Sequence, residues 1–332
     1  MLRTILAAAC ALTVTAAAQA APPLPMEAYY APHRLVPLPD GRKINLFCLG
    51  EGSPTVVLDA GYGSGSSAWR QIHPTLAETT RVCAFDRAGN EFSDPGPLPR
   101  SAAAVVADER AMLKAAGIRG PYVLVGHSMA GLHVRLYASK YPKEVAGAVL
   151  VDPSNPRQKQ RFAAAAPVSS AADEKRFAAQ RACSQRLLDG RLKAGDPDYA
   201  TCFPAPVAGL PEAYRANLVA RRTDPARIRN LFSEVDSMPE VSSAEIEKAL
   251  RKLGDLPWIV LTADGTARAF GGPPEEGAAM ARVWSEMHDE AAALSTRGEN
   301  RHVDAGHYIW ATKPQAVVDA VNEVVAAVRA RR

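Results

Sequence analysis

The chain has 332 residues, of which 39 are lysine or arginine and 35 are aspartate or glutamate, for a formal net charge of +4. This near-balance of charge, together with an aromatic content of 6%, gives no basis for a nucleic-acid partner, because nucleic-acid-binding domains concentrate positive charge. The length is large for a single core and predicts one large domain that carries an inserted lobe.

The N-terminus has the pattern of a secretory signal peptide. Arg3 supplies a short positive region, residues 5–14 are apolar, and Ala18-Gln19-Ala20 is a typical cleavage site. We therefore expect residues 1–20 to be removed near Ala20 and the mature protein to be exported to the periplasm or the extracellular space. No later run approaches 18 consecutive apolar residues, so the mature chain is predicted to have no membrane span.

Four cysteines remain once the leader and its Cys10 are gone, namely Cys48, Cys83, Cys183 and Cys202. An even number of cysteines in an exported protein predicts two disulfides, for which three pairings are possible. The alternative is four buried free thiols. The cysteines and histidines show no clustered spacing typical of a metal site, so we predict neither a metal nor a cofactor.

Short apolar runs alternate with helix-like stretches on both sides of a long middle segment. The predicted strands are 33–38, 43–49, 55–59, 81–86, 122–126, 145–152, 256–262 and 300–303, and the predicted helices are one that ends near 79, then 102–117, 129–141, 278–294 and 314–330. Such alternation is typical of a parallel sheet with helical crossovers. Residues 21–152 and 255–332 are therefore predicted to form an α/β core, and residues 153–254, which lack β-like runs, an inserted helical lobe.

A candidate nucleophile, Ser128, lies where the apolar run 122–126 passes into a predicted helix. The sequence Gly126-His127-Ser128-Met129-Ala130 is nearly the Gly-x-Ser-x-Gly of a nucleophile elbow, with Ala130 in place of the second glycine. A sharp strand-to-helix turn of this kind holds the serine Oγ clear of the sheet and needs small residues around it. The alternative is a serine that only caps the helix.

Three further stretches, PTVVLDAGYGSGSSAW, RVCAFDRAGNEFSDPGP and VDAGHYIWATKPQAVVDAV, combine with this turn in a recognisable order. Together they resemble the capped, esterase-like branch of the α/β-hydrolase fold superfamily, over nearly the whole mature chain from about residue 32 to 328. The resemblance implies a mostly parallel eight-stranded sheet flanked by helices, with an inserted helical cap. It also implies a catalytic triad in the chain order serine, acid, histidine.

Within this resemblance, His307 in the late Gly-His pair has the position of the general base. The acid is either Asp152 or Asp264. Most relatives carry it after the strand 256–262, at a position that falls here near Thr266, two residues beyond Asp264. A minority, including haloalkane dehalogenases and some lipases, carry it after the strand that follows the nucleophile helix, where this chain has Asp152, and we favour Asp152.

The resemblance also assigns two backbone donors and one supporting loop. The N–H groups of Met129 and Tyr62 are expected to form the oxyanion hole. Asp86 and Arg87 belong to a loop at the rim of the site and are expected to support the loops near the serine. Relatives usually have a glycine where this chain has Glu91, so this loop is expected to differ in conformation.

The usual strand order of the fold makes Cys48 and Cys83 neighbours and leaves Cys183 and Cys202 to form a bond within the lobe. The predicted activity is hydrolysis of a small carboxylic ester or related acyl compound. The alternatives are an acyltransferase or perhydrolase with the same triad, and a non-catalytic protein that binds a ligand under the lobe. The excess of basic residues in the lobe is explained by a solvated surface or, alternatively, by anionic substrates.

Overall fold

The computed structural model describes residues 24–204, 210–266 and 273–331. The predicted leader, residues 1–20, lies outside these ranges. Across the three described ranges, no helix combines the length and the apolar character that crossing a bilayer requires.

Eight strands of the described chain form one sheet: β1 (Arg34–Pro37), β2 (Lys43–Leu49), β3 (Val56–Asp59), β4 (Val82–Phe85), β5 (Tyr122–His127), β6 (Val145–Val151), β7 (Trp258–Ala263) and β8 (Gly298–Val303). Their order is β1-β2-β4-β3-β5-β6-β7-β8. The pairs β1–β2 and β2–β4 are antiparallel and the others are parallel. The predicted mostly parallel, eight-stranded α/β sheet is therefore confirmed, with strand ends displaced by at most two residues.

The described helices are α1 (His73–Ala77), α2 (Ala102–Ala115), α3 (Ala130–Lys140), α4 (Gln158–Ala165), α5 (Pro167–Leu188), α6 (Tyr199–Cys202), α7 (Glu212–Thr223), α8 (Pro225–Ser237), α9 (Ser243–Ala249), α10 (Pro274–Ala292), α11 (Ile309–Thr312) and α12 (Pro314–Arg329). Helices α2, α3 and α10 contribute to the core on one face of the sheet, and α1, α11 and α12 on the other. Because both faces are covered, β3, β4 and β5 are buried along their whole length, which explains their continuous apolar sequences.

The helix predicted to end near residue 79 is shorter than expected. The structure instead has a 3-10 turn, Ser66–Trp69, followed by the five-residue helix α1. Pro74 explains the break, because a proline is accepted in the first turn of a helix but not in its interior. The helix therefore begins at His73.

The segment between β6 and β7 contains α4 to α9 and a π-helical turn, Met238–Ser242, and the structure shows no strand in its described part. Helix α8 begins at Pro225, directly after Asp224, whose carboxylate accepts a hydrogen bond from the Arg227 N–H and so caps the helix. Several contacts hold this lobe on the core; among them, α9 packs against α3, and α4 packs against α10. These contacts hold α5 and α8 over the end of the sheet where β5 and β6 terminate.

Both disulfides pair the cysteines as the resemblance implied. Cys48 in β2 lies opposite Cys83 in β4 and is bonded to it, and Cys183 in α5 is bonded to Cys202 in α6. The first bond joins two strands of the sheet. The second joins two helices of the lobe across a separation of 19 residues.

Removing the lobe disulfide is expected to lower the free energy of unfolding by about 3 kcal/mol, because closing a loop of this length restricts the unfolded chain. The double variant Cys183→Ala/Cys202→Ala and the wild type would be compared by urea denaturation. Alkylation of the denatured, unreduced mature protein should modify none of the four cysteines. Modification of Cys48 and Cys83 would contradict the first bond, and modification of Cys183 and Cys202 would contradict the second.

Candidate active site

Ser128 lies between β5 and α3 in a strained turn. Its φ of 53° is in the left-handed region that residues with a side chain rarely adopt. A Cβ on Gly126 would lie 2.7 Å from the carbonyl oxygen of Ala130, so only glycine fits where the strand passes into the helix. The Ser128 N–H donates to the carbonyl of Val151, which fixes the turn on β6. Ala130, which departs from the usual motif, is fully buried and fits there.

The structure brings the serine together with two of the predicted partners. The Ser128 Oγ lies 2.9 Å from the Nε2 of His307, and the Nδ1 of His307 lies 2.6 Å from an Oδ of Asp152. Ser128 follows β5, Asp152 follows β6 and His307 follows β8. The three side chains therefore meet at the edge of the sheet where these parallel strands end. Ser128, His307 and Asp152 thus form one continuous chain of hydrogen bonds.

Asp152 is fully buried and all of its acceptor positions are in use. One oxygen accepts hydrogen bonds from the Ala263 N–H and from the Trp284 indole at 2.9 and 2.8 Å, and the other accepts from Thr266 and His307. Burial raises the pKa of Asp152, but the hydrogen bond from His307, the electrostatic attraction of the His307 and His288 rings, and the hydrogen bond from Thr266 together outweigh it, so the pKa lies below its ordinary value. Asp152 is therefore held as a carboxylate.

Two of these supporting residues were not expected from the sequence. Thr266 occupies the position where most relatives carry the acid, and here its hydroxyl donates to the carboxylate of Asp152 instead. The sequence signal for Thr266 is that it falls where most relatives carry the acid. Trp284 comes from the middle of α10, and nothing in the local sequence distinguishes it from an ordinary core tryptophan.

The alternative acid, Asp264, lies elsewhere. Its carboxylate is hydrogen-bonded to the Nδ1 of His302 at 2.7 Å, and the two side chains are 40% and 50% exposed. The remaining nitrogen of His302 contacts the hydroxyl of Ser285. Asp264 therefore belongs to a surface pair beside the site, and the structure does not bring it to His307.

The two predicted oxyanion donors flank the serine. Met129 is the residue immediately before α3, and Tyr62 follows Gly61, where an added Cβ would lie 3.2 Å from the Cβ of Ser128. Within the described ranges, neither the Met129 nor the Tyr62 N–H donates to a protein acceptor. Two unoccupied donors beside the serine are what an oxyanion hole requires.

His127, the neighbour of the serine, supports the position of His307. Its Nε2 lies 3.0 Å from the backbone carbonyl oxygen of His307, to which it donates, because a carbonyl can only accept. Burial, reinforced by electrostatic repulsion between the two imidazole rings, holds the pKa of His127 well below its ordinary value, so the ring is neutral. The interaction joins the loop after β8 to the turn after β5.

Arg87 is buried and connects the turn before Tyr62 to the lobe. Its guanidinium donates to the carboxylate of Asp59 at 2.7 Å, to the carbonyl oxygens of Ala60 and Gly61, and to the carboxylate of Glu234 in α8. Because the two carbonyls point to Arg87, the backbone of this turn is fixed next to the serine. The buried ion pair between Arg87 and Glu234 also connects the lobe to the core.

Replacing Arg87 with methionine is expected to lower the free energy of unfolding by about 3–5 kcal/mol, because Asp59 and Glu234 would remain buried without a counter-charge. Urea denaturation measures the change. The control is Arg110→Met, which breaks the surface pair with Glu144 and should cost less than about 1 kcal/mol. Equal losses in the two variants would contradict the account of Arg87.

A cavity of about 710 Å³ opens over Ser128 and His307. Its walls are largely apolar, with side chains from the lobe and from α10: Phe162, Phe177, Met238, Met280 and Trp284. Within the described ranges, no group of three or more histidine, cysteine, aspartate or glutamate side chains is placed to hold a metal ion. The cavity has the size and lining of a small-molecule site.

Comparison with known proteins agrees with this geometry. A family described as having the α/β hydrolase fold matches residues 54–192. The chain is 30% identical to the uncharacterized protein YbdG of Bacillus subtilis over 121 residues, which are 36% of this chain and 37% of YbdG. It is 23% identical over 299 residues to an AB hydrolase superfamily protein of Gibberella zeae, covering 83% of this chain and 87% of that protein.

The crystal structure of a DBJA mutant has a TM-score of 0.66 and 18% sequence identity, and the alignment covers 90% of this chain and 99% of that one. The chain spans only 15% to 42% of the length of three curated relatives that it matches, so these relatives align over a segment. The match to this family covers residues 54–192, and the whole chain has the α/β-hydrolase fold.

Proposed function

We propose that this protein is a serine hydrolase that cleaves a small carboxylic ester, or a related acyl compound, through an acyl-enzyme. The observation that carries the proposal is the chain of hydrogen bonds from the Ser128 Oγ to His307 at 2.9 Å and from His307 to Asp152 at 2.6 Å. A serine is a weak nucleophile unless a base removes its proton, and this arrangement supplies that base.

In the proposed reaction, the Oγ of Ser128 attacks the ester carbonyl while the Nε2 of His307 takes its proton. Asp152 remains ionised and stabilises the imidazolium through Nδ1. The N–H groups of Met129 and Tyr62 donate to the oxyanion. When the tetrahedral intermediate collapses, His307 returns the proton to the departing alkoxide, and water then releases the acid by the same steps in reverse order.

We also propose that residues 153–254 act as a cap that selects the substrate. The support is the cavity over Ser128, whose roof includes Phe162, Phe177 and Met238 from this segment. The apolar side chains of this roof limit the water around the serine, which strengthens the electrostatic interactions at the oxyanion. The lobe also contributes charged residues to the lining, among them Lys159, Asp173 and Arg181. A substrate with an apolar acyl chain fits these walls.

Export of the protein, with cleavage near Ala20, is part of the same proposal. The two disulfides support it, because such bonds persist in oxidising compartments and are rare in reducing ones. Sequencing the N-terminus of protein recovered from the periplasm or medium tests this point. A full-length chain retained in the cytoplasm would contradict it.

The activity is tested with 4-nitrophenyl esters of rising acyl length, from acetate to dodecanoate. We expect release of nitrophenol that is abolished by phenylmethylsulfonyl fluoride, and product analysis in the presence of a competing alcohol or peroxide should find mainly the free acid. Mainly transferred acyl groups would instead identify an acyltransferase or a perhydrolase. A folded protein that hydrolyses none of these esters would contradict the proposal.

A further inference from the structure

A second cavity, of about 780 Å³, lies beside the one over Ser128. One turn separates the two cavities: Gly61 and Tyr62 border the first, and Gly63 and Ser64 border the second. Tyr308, which follows His307, borders both. The two cavities are therefore adjacent, on either side of this turn.

Four arginines line the second cavity: Arg70 from the core, and Arg221, Arg222 and Arg227 from α7 and α8. None of the four forms an ion pair with a carboxylate of the described chain, whereas other arginines of the lobe do. Those other pairs are Arg181 with Asp236, Arg186 with Asp198, and Arg215 with Glu212. Positive charge is thus concentrated here without protein counter-charges in contact.

Of the four arginines, Arg221 is the strongest candidate for binding a ligand. Both of its terminal nitrogens are buried and lack a hydrogen-bond partner in the described chain, while its Nε donates to the carbonyl of Asn217. The guanidinium lies 4.6 Å from the ring centre of Phe92, which orients it. The Nε of Arg70 is likewise buried without a described partner. Buried donors without acceptors are costly, and an anion would supply the missing acceptors.

Glu91 is the one carboxylate among the described residues that line this cavity. It is already engaged by the N–H and hydroxyl of Ser67. Burial, and then the negative charge of Asp86, raise the pKa of Glu91 to about 8. Near neutral pH its carboxyl group is largely uncharged, so it does not neutralise the arginines.

We propose that this basic cavity binds the anionic end of the substrate, a carboxylate or a phosphate group remote from the scissile ester. The guanidinium groups of Arg221 and Arg70 match the planar, two-oxygen geometry of such groups. This inference rests on the proposed hydrolase function and specifies its substrate as an anionic ester. At these positions the basic residues of the lobe therefore contribute to a binding site.

The test compares two substrates of equal acyl length, 4-nitrophenyl hydrogen adipate and the neutral 4-nitrophenyl hexanoate. The wild type is expected to have a kcat/KM for the adipate ester about tenfold or more above that for the hexanoate ester. Arg221→Met, and independently Arg70→Met, should bring this ratio close to one. The matched control is Arg215→Met, which lies on α7 but pairs with Glu212 and borders neither cavity, and should leave the ratio unchanged.

Equal kcat/KM values for the two esters in the wild type, or equal losses in Arg221→Met and Arg215→Met, would overturn the inference and leave the hydrolase function intact. A direct binding measurement separates the two claims. Calorimetry on the Ser128→Ala protein should detect binding of adipate or of 6-phosphonohexanoate, but not of neutral 1,6-hexanediol. Adding Arg221→Met should weaken the binding of the anion about tenfold or more. The stronger of the two anions identifies the group. Absence of Arg221-dependent binding of either would refute the inference even if the enzyme were active.

Discussion

Replacing Ser128 with alanine is expected to lower kcat for 4-nitrophenyl ester hydrolysis by about 10⁶-fold, because the triad acts as a unit and nothing else supplies the nucleophile. The residual rate would reflect binding and the oxyanion donors alone. The fold should be preserved, because alanine is smaller than serine and the turn is held on β6 by a backbone hydrogen bond that the substitution does not remove. Steady-state kinetics with the best ester of the acyl series measures the effect.

The matched control is Ser139→Ala, which makes the same change on α3, the helix that follows Ser128. Ser139 is buried, its hydroxyl has no partner in the described chain, and it does not border the cavity over the serine. Its loss should leave kcat within about twofold, as expected for a change away from the reacting atoms. If a folded Ser128→Ala protein kept more than a few per cent of the wild-type rate, Ser128 would not be the nucleophile.

Replacing Asp152 with asparagine is expected to lower kcat by about 10⁴-fold, as when the acid of a triad is replaced by its amide. The amide can present an N–H to the Nδ1 of His307, which favours the wrong tautomer of the ring and removes the charge that stabilises the imidazolium. The hydrogen bonds from Ala263, Trp284 and Thr266 hold the side chain in place, so the effect should fall mainly on kcat.

The comparison with Asp264→Asn decides between the two candidate acids. Asp264 pairs with His302 on the surface, so its replacement should change kcat less than about twofold. Both variants would first be checked by circular dichroism and urea denaturation. A collapse of kcat in Asp264→Asn alone, with both proteins folded, would assign the acid to Asp264 and refute the assignment to Asp152.

Much of this architecture could be predicted from local sequence. The apolar runs of β3, β4 and β5 are continuous because both faces of those strands are buried, and such runs stand out against their polar flanks. The prediction for β8 is two residues too short because the strand lies at the edge of the sheet and begins with Gly298 and Glu299, which are typical of loops. The closeness of Ser128 and His307 could be predicted for a similar reason, since each lies in a short motif after a strand.

The choice of acid could not be made from the sequence alone. Asp152 and Asp264 each follow directly after a strand, β6 and β7, and these two strands are neighbours in the sheet. Which carboxylate faces the imidazole depends on where each side chain finds hydrogen-bond donors. Trp284 supplies one of those donors from a position 132 residues away in the chain.

The interactions that join the lobe to the core were also beyond local prediction. Arg87 and Glu234 are 147 residues apart, and no pattern near either one indicates the pair. The same holds for the basic cavity, where Arg70 belongs to the core and Arg221 to the lobe. The sequence favours a solvated basic surface over anionic substrates, because only the packing of α7 and α8 on the core places these side chains around one cavity.

The central claim is that Ser128 is an activated nucleophile, and a fluorophosphonate probe tests it most directly. The probe bonds covalently to a serine whose proton is removed by a neighbouring base, so the label reports activation whatever the natural substrate. Peptide mapping by mass spectrometry is predicted to locate a single label on Ser128 in the wild type and a strongly reduced yield in His307→Ala. A folded wild-type protein that stays unlabelled, or that is labelled on another residue, would contradict the account.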